Sequence, residues 1–259
     1  MIYVVKSRIF MYIEGHEVNH REGCREDTMK KVLILGAHLD DSVIAMGGTI
    51  AKLVRDGVEV NVFCFGNGDE AYTAPGGQAA AVARFKQGAE EAHRILGVKN
   101  LECMDVGDFE VDASAQFYRQ LIGAIRKYRP DVVFGHYPAE YFQHHGMARM
   151  SIDAWNQARW QCTADFGTEP WTVSRYYHFE IADLLPQPSH LVDVSDVFEI
   201  KMKAMACYDA EGGHLGGWED EMRARARFYG SRIGVMYAEA FKQSFYLPVK
   251  VTGTETFFA

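Results

Sequence analysis

Val32-Leu33-Ile34-Leu35 and Val132-Val133-Phe134 are short, continuous apolar runs, and Val60-Asn61-Val62-Phe63-Cys64-Phe65 is nearly so. Runs of this length without polar alternation suit strands buried on both faces, which is the condition of a parallel sheet. Leu101 to Met104 reads as a further strand. Between these runs lie segments with helical signals. Thr49 to Arg55 follows a Gly-Gly pair, Ala79 to Leu96 ends at Gly97, and Phe117, Leu121, Ile125 and Tyr128 recur at helical spacing before Pro130. The alternation predicts an α/β fold. Its sheet is Rossmann-like and mostly parallel, with helices on both faces, right-handed crossovers and functional loops at the carboxyl ends of the strands. Beyond residue 146 the pattern loosens. It gives a helix from Met147 to Ala158, an aromatic strand from Tyr176 to Phe179 and a helix carrying Val197, Ile200, Ala204, Met205 and Tyr208. This carboxyl third is expected to pack on the sheet and shape a pocket.

A chain of 259 residues accommodates one such core with extended loops, but not two catalytic domains. The single domain is expected over 29–259, with 1–28 as a flexible or extra segment; Met29 is an alternative start. That segment lacks a signal-peptide pattern, because Lys6 and Arg8 interrupt its apolar stretch, and no run approaches the ~20 apolar residues of a membrane span. A net charge of -8 argues against nucleic acid as a partner, since phosphate binding needs clustered cations. Five scattered cysteines with no Cys-x-x-Cys pair suggest neither a disulfide framework nor a thiolate zinc site, and suit a reducing cytoplasm. A homo-oligomer is compatible with everything above.

Directly after the first strand stands Ala37-His38-Leu39-Asp40-Asp41-Ser42. Helix capping by Asp40, Asp41 or Ser42 would account for the hexapeptide alone. Alternatively, His38 and Asp41 face one cation while Asp40 points to a water, the division of labour that a hydrolytic metal needs. Such a site calls for a second histidine. The loop after the fourth strand, Pro138-Ala139-Glu140-Tyr141-Phe142-Gln143-His144-His145, offers two, at an equivalent edge of the sheet. Gly66-Asn67-Gly68-Asp69 is a turn rather than a phosphate cradle, because neither a GxGxxG nor a Walker pattern is present.

In these motifs the sequence resembles the LmbE-like or PIG-L family of N-acetylglucosaminyl de-N-acetylases, over about Lys31 to Tyr208. The family's Ala-His-Pro-Asp-Asp-Glu corresponds to Ala37 through Ser42. Its Pro-Asn-Asp-x-His-x-Asp-His corresponds to Pro138 through His145. The resemblance implies that His38, Asp41 and His145 bind zinc or another divalent metal and that Asp40 is the general base. It implies amide hydrolysis of an N-acetylated amino sugar or glycoconjugate. Arg84 corresponds to a substrate-contacting arginine, and His214, in the Gly212–Gly217 loop, is placed to close over the substrate. Departures are Leu39 for Pro, Ser42 for Glu, Glu140 for Asp, Phe142 for His and His144 for Asp. Phe142 cannot donate to an oxyanion, so His144 is the favoured replacement, ahead of His214 and Tyr141. These departures also leave open a catalytically silent binding protein on the same frame.

Overall fold

The computed structural model describes residues 31–72, 74–161, 169–208 and 217–247. The first apolar run forms β1 (Lys31–Gly36). Val32 and Ile34 enter one hydrophobic core, and Leu33 and Leu35 enter another, so both faces of this strand are buried and its sequence need not alternate. Parallel to it run β2 (Glu59–Gly66), β3 (Asn100–Val106), β4 (Val132–His136) and β5 (Arg175–Phe179). Two further strands, β6 (His190–Asp193) and β7 (Ala238–Gln243), pair antiparallel and complete a seven-stranded sheet of order β3-β2-β1-β4-β5-β7-β6.

One face is covered by α1 (Asp41–Arg55), α2 (Gln78–Leu96) and α5 (Phe198–Met205), the other by α3 (Ala115–Tyr128) and α4 (Phe142–Gln157). A sixth helix, α6 (Trp218–Ile233), sends Tyr229 against Ala238 and Ala240 of β7. The chain builds outward from β1 to β3 and then returns to lay β4 on the other side of β1. The crevice at the carboxyl ends of β1 and β4 is therefore the topological switch point, where ligands bind in open α/β sheets. No helix among the described residues is long and apolar enough to cross a membrane.

Two helices begin earlier than their sequences suggest. The first starts at Asp41 rather than Thr49, so Gly47 and Gly48 lie inside it. A Cβ at Gly48 would sit 2.8 Å from Val194, and one at Gly47 would sit 2.9 Å from Lys201, so glycine is required by close packing rather than by a turn. The helix is kinked at Met46. The carboxylate of Glu239 on β7 accepts the N–H groups of Gly48 and Thr49 at 3.0 and 2.7 Å, and Lys201 Nζ donates to Glu239 and to the Ile44 carbonyl, each at 2.7 Å. A buried ion pair thus supplies what the broken helical ladder lacks. The other early start is that of α4, at Phe142 rather than Met147.

Where α1 meets α2, buried His93 is fixed as a neutral tautomer. Its Nδ1–H donates to the Ala89 carbonyl at 2.7 Å, and its Nε2 accepts the Ser42 hydroxyl at 2.8 Å. Burial holds its pKa down to about 4, against 6.5 when exposed. The unfolded chain therefore takes up a proton below pH 6.5 that the folded chain refuses until about pH 4. The contribution is complete above pH 6.5 and is lost as the pH falls, by on the order of 3 kcal/mol in full. Between pH 7 and pH 4.5, urea denaturation should show the parent losing about 2–3 kcal/mol more stability than His93→Gln. Parallel pH profiles would show that His93 is not held neutral by burial.

Candidate active site

The site is built around Asp41, whose carboxylate is 1% exposed at the start of α1. Oδ2 accepts the His38 amide at 2.8 Å and lies 2.9 Å from His136 Nε2. That nitrogen is also 3.0 Å from the Ala37 amide, but an ionised carboxylate takes only donors, so the proton on Nε2 is directed to Asp41. Oδ1 is 3.3 Å from His144 Nε2 and 3.7 Å from His38 Nδ1, and those two ring nitrogens are 3.2 Å apart. Burial alone would raise the pKa of Asp41; the facing His136 and His144 reverse this and hold it well below the usual carboxylate range. For His38 and His136, burial pulls down, but the adjacent carboxylates prevail and both are raised.

Local folding explains this convergence. Past β1, the Ala37 carbonyl accepts the Gly66 amide at 2.7 Å, tying the His38 loop to the end of β2. A Cβ at Gly66 would lie 2.8 Å from the His38 ring and 2.5 Å from an Asp108 carboxylate oxygen, so only glycine lets the three meet. His136 ends β4, and His144 arrives from the first turn of α4.

The early start of α4 corrects the expected ligand set. Successive residues of a helix point about 100° apart, so His144 and His145 cannot both face the crevice. His144 is fully buried against Asp41 and His38, whereas His145 is exposed and its Nδ1–H donates to the Pro138 carbonyl at 2.6 Å. The structure thus brings His38, Asp41 and His144 together as three possible ligand atoms within 4.8 Å of one another, and leaves His145 out. The assignment of His144 as a free oxyanion donor is corrected with it. Glu140, one helical turn upstream, accepts the Nδ1–H of His144 at 2.6 Å, leaving the Nε2 lone pair on the cluster side. Glu140 also accepts the amides of Ile181 and Ala182. Burial opposes its ionisation, but His136 and His144 outweigh that and hold its pKa down to about 2.

Beside the cluster is a cavity of about 180 Å³, with Asp40, Glu70, Asp108 and Tyr141 on its polar side and Ile44 and Phe85 on its apolar side. Burial first, and then the charge of Asp41, push Asp40 up to about 6. Asp108 accepts the amides of Gly68 and Glu70 at 3.0 and 3.1 Å, closing the loop after β2, and Glu70 accepts Gln143 at 2.8 Å. The Tyr141 hydroxyl is 2.8 Å from His144 Nε2, and its ring stacks on His38. Phe142 is 70% exposed and takes no part. Arg84 is exposed on α2 and does not line this cavity, and His214 lies outside the described residues. Sequence reasoning missed His136, Glu70 and Asp108. Only His136 had a signal, as the residue that ends the apolar run of β4.

Residues 33–155 match the PIG-L family, described as GlcNAc-PI de-N-acetylase. A diacetylchitobiose deacetylase of Thermococcus kodakarensis is 29% identical over 230 residues, 83% of each chain. The N,N'-diacetylchitobiose deacetylase of Pyrococcus horikoshii, solved with an inhibitor, superposes with a TM-score of 0.76 at 30% identity, over 87% of this chain and 88% of that one. The 4-carboxy-2-hydroxymuconate hydratase GalB of Pseudomonas putida shares the fold, with a TM-score of 0.71 at 22% identity, over 87% of this chain and 100% of that one.

Removing Glu140 would leave two buried imidazoles and two amides without their acceptor. Urea unfolding of Glu140→Ala should show a loss of about 3–5 kcal/mol, whereas His145→Ala should stay within about 0.5 kcal/mol of the parent. Comparable losses from the two substitutions would contradict the inward and outward placement of these side chains.

Proposed function

Because the chain belongs to the PIG-L (LmbE-like) family, we propose that it is a metal-dependent N-deacetylase acting on an N-acetylated amino sugar or a glycoconjugate that carries one. The observation that carries this reading is the buried trio of His38, Asp41 and His144 beside a carboxylate, Asp40, that is not part of it. Two imidazoles and one carboxylate are the donor set of a catalytic zinc site with an open position. Glu140 supports the fit by fixing the tautomer that leaves His144 Nε2 free. A divalent cation held there would polarise the acyl oxygen and acidify a water.

The remaining steps belong to the chain's own residues. Asp40, raised to about 6, takes the proton from the attacking water and returns it to the departing amine nitrogen. Such a pKa suits a group that must accept and release a proton near neutrality. Tyr141 replaces the expected oxyanion donor: its hydroxyl already reaches the cluster, and Phe142 is turned to solvent. His136 and Glu140 hold Asp41 and His144 in position. The apolar wall of Ile44 and Phe85 limits water around the acyl group.

Elemental analysis should find one tightly held divalent cation in the parent, little in His144→Ala and a parental amount in His145→Ala. The reverse order would restore His145 as the ligand. Asp40→Asn should keep its metal and lose turnover in an amine-release assay over N-acetyl sugars; near-parental kcat would remove Asp40 from the mechanism. Tyr141→Phe should also keep its metal, with kcat lower by about 10²–10³. An unchanged kcat would leave oxyanion stabilisation to other groups.

A further inference from the structure

The proposed hydrolysis uses no thiol, yet the sheet places two side by side. Cys64 on β2 and Cys103 on β3 are direct register partners in a parallel pair, so their side chains leave the same face. Adjacent strands are about 4.8 Å apart, inside the Cα separation that a disulfide spans. Thirty-nine residues separate the two cysteines in the chain, so no sequence motif announces them. Their environments differ. Cys64 is wholly buried, whereas Cys103 is half-buried and lines a second cavity, of about 440 Å³, on the flank of the sheet. That cavity is lined by cations, Lys86 and Arg94, and by anions, Glu90 and Asp105, alongside apolar Leu101 and Val98. Mixed charge around an apolar floor suits an amino-acid-like, zwitterionic ligand.

We propose that Cys103 and Cys64 form a thiol–disulfide exchange site, in which Cys103 attacks a small zwitterionic disulfide in the flank cavity and Cys64 resolves the mixed disulfide. In the first step the Cys103 thiolate bonds to one sulfur of the incoming disulfide and its partner leaves as a thiolate. In the second, Cys64 gives up its proton, bonds to Cys103 Sγ and expels the second thiolate. Two electrons pass from the cysteine pair to the small disulfide, and the two protons released by the pair complete two small thiols. The surroundings suit these roles. Asp105, at φ 60°, points its amide to Cys103 Sγ at 3.4 Å, and the Cys64 thiol donates to the same sulfur. Together with Lys86 nearby, these donors lower the Cys103 pKa; the Cys64 thiol, donating to Cys103 and buried, is pushed up. Cys103 is therefore the better attacking thiolate and Cys64 the protected second thiol.

The test is to incubate the full, metal-replete chain with glutathione disulfide, quench with acid and map peptides without reduction. The wild type should yield a Cys64–Cys103 crosslink, and Cys64→Ser should accumulate glutathione on Cys103. In Cys103→Ser, neither product should form at this pair, and Cys64 should react at least about tenfold more slowly than Cys103 does in the parent. Should Cys64→Ser fail to fold, the wild-type map decides alone. Modification confined to Cys24, Cys162 or Cys207 would overturn the site. A mixed disulfide that persists on Cys103 in the wild type would overturn the pair.

Discussion

A carboxylate that is 1% exposed has to be held by partners or lose its charge, and the centre of this molecule is organised around that demand at Asp41. One oxygen takes the His38 amide and the His136 ring, and the other faces His144 and the His38 ring. Each partner comes from a different part of the topology: the end of β1, the end of β4 and the first turn of α4. They meet only because β4 lies beside β1 although two strand–helix units intervene in the chain. The same convergence leaves three ligand atoms aimed at one point. A charge well satisfied in the folded state is here also a metal site.

Around this centre the supporting groups divide by role. Glu140 fixes the tautomer of His144 and ties it to the amides of Ile181 and Ala182, anchoring the helix turn that carries the ligand. Glu239 and Lys201 hold the kink of the helix that begins with Asp41. Asp40 lies next to Asp41 in sequence but has no histidine fixing it, and the two pKa values part accordingly, one pushed up and one held down. Two adjacent carboxylates driven apart in this way is how a ligand and a proton acceptor are made from the same residue type.

The first half of the fold was legible because strands buried on both faces read as unbroken apolar runs, and Gly97, with φ 78°, ended α2 where its sequence said it would. The carboxyl third was not. β7 reads Ala-Glu-Ala-Phe-Lys-Gln with its Glu buried in an ion pair, β6 has four residues, and α6 is charged nearly all round. At the site, His38, Asp40 and Asp41 were readable from one hexapeptide. The choice between His144 and His145 was not, because it depends on where α4 begins, and Tyr141 provides no side-chain cap to mark the start. Family register placed the ligand one residue too late, and one residue on a helix is the difference between inside and outside.

The central claim is therefore geometric, that a cation here is held by His38, Asp41 and His144. Crystals grown with zinc and measured at its absorption edge test it directly, since the anomalous peak locates the ion without reference to activity. The account predicts one strong peak about 2.0–2.2 Å from a nitrogen of His38, an oxygen of Asp41 and Nε2 of His144, with His145 still turned toward Pro138. A peak bonded to His145, with His144 displaced from the cluster, would contradict it.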